Sequence, residues 1–143
     1  MLEESEGYSE RRMLIKCRVI VKGAAEGDAL VTSQAINFLT MIDLNSGIVK
    51  DDRHDLYKKN IANRILVFPN AIGSSVGAYS IYALKTNNVA PKAIVCIKAD
   101  ITTASGCAIA NIPLVDNPES DISKIKSGSS IKVDAMNGMI QFA

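Results

Sequence analysis

Gly73, Ser74 and Ser75 have the clearest capacity for chemistry in this sequence. They follow a short, almost wholly apolar run at 64–68 (Arg-Ile-Leu-Val-Phe) closed by Pro69, and they precede an uncharged stretch, 76–84, with the composition of a helix. That order predicts a buried strand, a glycine-containing loop, and a helix whose N-cap is Ser74 or Ser75. Both hydroxyls then sit where unpaired backbone N–H groups and the positive end of the helix dipole favour negative charge. Two readings stay open on the residues alone. Serine is a preferred N-cap residue, so the string suffices as a cap. Equally, the hydroxyls and N–H groups would hold a carboxylate or phosphate, or one serine would be activated.

Little else offers chemistry. His54 is the single histidine; a Ser-His-Asp arrangement would have to recruit it, and its spacing neither supports nor excludes that. The plainer reading is a loop histidine that packs or hydrogen-bonds locally. The sequence contains no H-E-x-x-H, Walker loop, G-x-G-x-x-G or G-x-S-x-G string. Cys17, Cys96 and Cys107 are odd in number, far apart and form no C-x-x-C pair, so they read as reduced, mostly buried thiols and no metal ligand is assigned.

The elements that must position the serines form a strand-rich mixed pattern. Residues 1–11 are acidic and polar without periodicity, which predicts a flexible tail ahead of one domain over 12–143. From 14 to 22, Ile15, Cys17, Val19 and Val21 alternate with Lys16, Arg18 and Lys22, the period of a half-buried strand. Gly23 and Gly27 are read as a turn, followed by a strand over 28–32. Residues 42–63 form a long loop, a kind of segment that tends to be functional in compact domains. Further strands are expected at 93–98 and 112–115, a short helix at 102–109, and a helix from Pro118 to about Lys126. Asn137-Gly138 marks a hairpin between 131–133 and 139–142. The expected fold is a single compact α/β domain with a barrel-like mixed sheet and helices packed outside.

Composition narrows the function classes. Sixteen Lys and Arg against 15 Asp and Glu leave a formal charge of +1, with no basic stripe for nucleic acid. Apolar runs are too short to span a bilayer, and the first residues lack the basic start and apolar run of a signal peptide. A cytoplasmic protein with no nucleic-acid or membrane partner is the simplest expectation.

A series of motifs adds to this reading: 23–31 (Gly-Ala-Ala-Glu-Gly-Asp-Ala-Leu-Val), 46–48 (Ser-Gly-Ile), 52–57 (Asp-Arg-His-Asp-Leu-Tyr), Phe68-Pro69 with Gly73-Ser74-Ser75 and Tyr79, 90–95 (Ala-Pro-Lys-Ala-Ile-Val), Gly106 and 112–116 (Ile-Pro-Leu-Val-Asp). In this order, from Lys16 onward, the chain resembles the aconitase X swivel domain. The resemblance implies a compact swivelling β/β/α domain and a hydro-lyase subunit, active only with a large aconitase X-type subunit that carries an iron–sulfur cluster. It implies dehydration of (R)-5-phosphomevalonate to trans-anhydromevalonate 5-phosphate in an archaeal-type mevalonate route. The alternatives are a related hydro-lyase acting on cis-3-hydroxy-L-proline or another hydroxy acid, and a noncatalytic anion-binding or assembly module.

By the same resemblance Ser74 is the catalytic proton acceptor, Gly73 and Ser75 bind substrate, and the loop carrying Asp52 and Leu56 lines the rim. The chain departs from the family pattern where a basic residue commonly precedes Gly-Ser and Ile72 stands here. It departs again where Phe38-Leu39 leads into Thr40-Met41 in place of a Gly-Gly pair, and at Val76, where aconitases carry Arg. A cation missing from such a site weakens the hold on a carboxylate or phosphate by about 1–3 kcal/mol unless the partner supplies one.

Overall fold

The structure, a computed structural model, describes residues 12–143; the tail expected over 1–11 lies outside them. Its centre is a pair of strands with no polar side chain. In β4 (Ile65–Phe68) and β5 (Ala93–Cys96) every residue is buried, because each pleat face meets a different apolar layer. Ile65, Val67, Ala93 and Val95 join Ile131, Val133, Ile140 and Phe142 in one core cluster. Leu66, Phe68, Ile94 and Cys96 join a second, with Ile81 and Leu84 of the first helix and Ile42, Val49 and Ile61 of the long loop.

The other strands are β1 (Met13–Lys16), β2 (Arg18–Val21), β3 (Ala24–Val31), β6 (Leu114–Asp116), β7 (Ser130–Asp134) and β8 (Met139–Phe142). The eight-stranded sheet runs β1-β8-β7-β3-β4-β5-β6-β2. Its first and last members are adjacent in the chain, separated by Cys17 alone, so the sheet curls into a nearly closed barrel. The single strand expected over 14–22 is therefore two. Leu14 pairs with Gln141 and Val19 with Val115, and at the change of partner the Cys17 N–H donates to the Gly138 carbonyl at 3.0 Å. β3 changes partner as well: Ala24–Asp28 run antiparallel to β7, and Ala29–Val31 parallel to β4.

β3 begins four residues before the expected strand, and Gly27 is no part of a turn, since it pairs with Ile131 inside the strand. There a Cβ would come within 3.4 Å of the Lys92 stem. The expected helix from Pro118 to Lys126 is also corrected. Only a 3-10 turn forms at Ile122–Lys124, opened by the Asp121 carboxylate accepting the Ser123 N–H. Two constraints outweigh its helical composition: the Glu119 N–H is committed to the Lys16 carbonyl of β1, and Ile122 and Ile125 are both anchored in the core beside Ile131 and Phe142. The hairpin falls where expected, with the Gly138 N–H closing on Asp134.

The barrel's seam is clamped by an ion pair whose carboxylate is buried and whose guanidinium side chain is half exposed. Asp116 is 0% exposed and accepts from Arg18 Nε and Nη2, each at 2.8 Å, and from the Ala99 N–H, also at 2.8 Å. One carboxylate thus ties β2 to β6 and to the loop before the second helix.

Helices α1 (Val76–Thr86) and α2 (Ile101–Ala110) cover the parallel half of the sheet. They approach closely because small residues face each other. A Cβ on Gly106 would lie 3.0 Å from Ile81 Cδ1 and 3.1 Å from Ala78 Cα, and one on Gly77 would lie 3.3 Å from Thr102 Cγ2. Gly106→Val must push the helices apart against backbone, so thermal unfolding of this variant is expected roughly 5–10 °C below wild type, as overpacking costs about 1–3 kcal/mol. An unchanged melting temperature would refute this close packing.

Candidate active site at the start of α1

The segment between β4 and α1 is held to the loop after β3 by a short parallel bridge: the Ile36 N–H donates to the Asn70 carbonyl and the Ile72 N–H to the Ile36 carbonyl. Gly73 then adopts φ +116°, and a Cβ there would lie 2.8 Å from Asn37 Nδ2. Glycine is thus required twice, for backbone conformation and for the approach of Asn37. The Asn37 side chain is fixed by its Oδ1, which accepts from the N–H groups of Leu39 and Thr40, and its backbone N–H donates to Met41 Sδ. Its Nδ2 has no acceptor among the described residues. Periodicity gave no reason to single out Asn37; only the chain path that sets it beside Gly73 reveals it.

Ser74 and Ser75 are both exposed. Ser74 caps the helix, for its carbonyl accepts from the Gly77 N–H at 3.0 Å and its Oγ from the Val76 N–H at 3.3 Å. Ser75 occupies the formal N-cap with helical backbone angles and no side-chain cap bond, so its hydroxyl is uncommitted. The N–H groups of Gly73, Ser74 and Ser75 have no acceptor among the described residues. Three backbone donors and two hydroxyls therefore lie on consecutive residues of an open helix start, groups of the kind that stabilise an oxyanion or an anionic ligand.

The long loop reaches this site. Asp51, Arg53 and His54 line an open groove of about 390 Å³ with Ile72, Gln34 and Met41, whereas Asp52 is not among its lining residues and Leu56 is buried in the core. Arg53 has a side chain 88% exposed, and its backbone N–H is the main cause holding the Asp51 carboxyl below its ordinary range. His54 takes no catalytic position. Its Nδ1 accepts from the Leu56 N–H and its Nε2 donates to the Ala35 carbonyl, a tautomer assigned from these partners. Both ring nitrogens are spent on holding the loop, in keeping with the local reading of this residue.

The cysteines do not suit a metal. Cys96 and Cys107 are buried, and burial pushes the Cys107 thiol up to about 12, Cys96 well above its usual value and Cys17 up to about 11. Thiolates, the form that ligates metal, are thereby disfavoured. Among the described residues no three His, Cys, Asp or Glu side chains gather to hold a metal ion, and no helix is long and apolar enough to cross a membrane. A larger cavity of about 890 Å³, lined by Lys22, Lys85 and Lys92, lies at the opposite, N-terminal ends of the parallel strands. Ligands of open parallel sheets favour the carboxyl ends, where Ser74 stands.

Comparison with known proteins agrees with this architecture. The family described as "Aconitase X swivel domain" matches residues 14–142. The chain is 46% identical over 129 residues to a protein of Thermococcus kodakarensis named phosphomevalonate dehydratase small subunit, covering 90% of this chain and 96% of that one. A protein of the same name from Methanococcoides burtonii is 43% identical over 128 residues, covering 89% and 93%. Among solved structures, the crystal structure of Thermococcus kodakaraensis aconitase X in its holo-form superposes with a TM-score of 0.88 at 44% identity, over 92% of this chain and 98% of that one. On the match of nearly every described residue, this chain belongs to the aconitase X swivel domain family.

Proposed function

We propose that this chain is the small subunit of a phosphomevalonate dehydratase and that Ser74 accepts the proton taken from the carbon next to the substrate carboxylate. The observation that carries the reading is the exposed Ser74 hydroxyl at the start of α1, within a chain that matches small subunits of that name over nearly their whole length.

The chemistry follows from the local donors. A serine hydroxyl is a weak base, so its alkoxide must be stabilised where it forms. The Val76 N–H already donates to Oγ, the N–H groups of Gly73, Ser74 and Ser75 lie in the same turn without an acceptor among the described residues, and the α1 dipole adds positive potential. Ser75 Oγ and Asn37 Nδ2 are left to orient the substrate's anionic oxygens. The stretch 69–84 contains no charged residue, so cations for a carboxylate or phosphate come from Arg53 across the groove and from the large subunit. An iron–sulfur cluster does not fit this chain's cysteines, and we assign it to the large subunit; it would supply Lewis-acid chemistry there.

The test is reconstitution. Mixed with its large subunit, the chain is expected to restore dehydration of (R)-5-phosphomevalonate and to leave cis-3-hydroxy-L-proline untouched, as read by product formation. Turnover of the hydroxyproline alone would move the assignment to the related hydro-lyase, and turnover of neither, in an assembled pair with intact cluster, would overturn it.

A further inference from the structure

We propose that the outer face of the α1–α2 layer, led by Tyr79 and Ile101, is the surface on which the large subunit docks; this rests on the small-subunit reading above. The first observation is composition. Across the 11 residues of α1 and the 10 of α2, Lys85 is the single charge, in a chain with 16 Lys and Arg and 15 Asp and Glu. A helix pair that covers a sheet and faces water ordinarily carries its charges on the outer side. Here the exposed residues are Val76, Tyr79, Tyr82, Ile101, Ala108 and Ile109, with Lys85, Thr86 and Ser105 as the polar ones.

The second observation is where the apolar side chains lie. Tyr79 is 76% exposed and Ile101 81%, levels at which each gains nothing from the fold of its own chain. Val76 and Tyr79 are one turn apart on α1, and the contact of Gly77 with Thr102 sets the first turn of α2, with Ile101, against the first turn of α1. Three exposed apolar residues, Val76, Tyr79 and Ile101, thus gather at one end of the layer, and that end carries Ser74. Contiguous exposed patches with a tyrosine at their centre are the mark of a protein interface.

The occupant follows from charge and continuity. A pocket around Ser74 must be walled by whatever sits on the first turn of α1, and an anionic substrate requires that this wall bring cations. A second copy of this face would bring from the two helices only Lys85, in the last turn of α1 and away from Ser74, whereas a different polypeptide can bring a cluster. Relatives that match this chain along 96% of their own length are themselves named as small subunits, so the complement is a separate large chain.

The experiment uses the small subunit and its large subunit. Tyr79→Arg combined with Ile101→Asp should weaken assembly at least about a hundredfold in a titration. The isolated variant should keep the wild-type melting temperature, and Met136→Asp, which changes an exposed apolar residue of the β7–β8 turn, should bind as wild type. In the wild-type complex, amide exchange in α1 and α2 should slow on assembly. Unchanged affinity of a folded double variant overturns the proposal, as does unaltered exchange of both helices or a homodimer through this face that the large subunit fails to displace. Ser74→Ala separates the two readings. If it assembles but is inactive while the double variant also assembles, the docking face is wrong and the catalytic role stands; if it remains active while the double variant fails to assemble, the reverse holds.

Discussion

Ser74→Ala in the reconstituted enzyme is expected to lower turnover about a thousandfold, within the 10²–10⁴ range of a lost general base, while leaving assembly intact. The hydroxyl is exposed and accepts one long bond, from the Val76 N–H at 3.3 Å. Removing it costs the helix no more than a weak cap, about 0.5–1 kcal/mol. The loss in transition-state stabilisation corresponds to about 4 kcal/mol at 1.36 kcal/mol per tenfold. The two magnitudes differ enough for a thermal melt and a steady-state assay on the same preparation to separate them. A variant that turns over within a few-fold of wild type would leave Ser74 as a cap and nothing more.

Asp116→Ala is expected to lower stability by about 3 kcal/mol at neutral pH, at the low end of the 3–5 kcal/mol for breaking a buried pair. The low end applies because the Arg18 side chain is 53% exposed and returns partly to water, whereas the Ala99 N–H loses its acceptor inside the fold. Burial alone would push the Asp116 carboxyl up, but the Arg18 hydrogen bonds, the Ala99 N–H and the guanidinium charge outweigh it and hold the carboxyl below its ordinary range. A folded-state value that is depressed contributes stability fully present above the unfolded carboxylate value, about 3.9, and lost as pH falls through the folded value. Urea unfolding of wild type and variant should therefore differ most at pH 7, with the gap narrowing progressively below about pH 4. A gap independent of pH would mean that the lost volume, and not the charge, matters at this position.

What could be read from the residues was whatever they settle locally. The runs that became β4 and β5 were legible because a strand covered on both faces needs no polar position, and the hairpin at Asn137-Gly138 because its turn chemistry is local. Gly73 to Ser75 stood out for the same reason, as strand end, glycine and helix start are encoded side by side. The start of β3 was hidden because Gly27 resembles a turn residue until Ile131 is known to lie opposite. The segment 118–126 has the caps of a helix, but its backbone is claimed by Lys16, more than a hundred residues away, and by a core that wants Ile122 and Ile125. Asn37 and the Arg18–Asp116 clamp were invisible for that same reason, since each matters only through a partner distant in the chain.

The seam at Cys17 sets an order on synthesis. Met13 pairs with Phe142 and Arg18 with Asp116, so β1 waits for β8, more than a hundred residues later, before one of its edges is satisfied. The parallel half, β3 to β6 with α1 and α2, joins neighbours in sequence and can condense first, because shorter loops cost less entropy to close. Until residue 142 has emerged, the nascent chain carries an unpaired ribbon along β1, with Leu14 60% exposed even once folded. That ribbon is the stretch most open to pairing with another nascent copy.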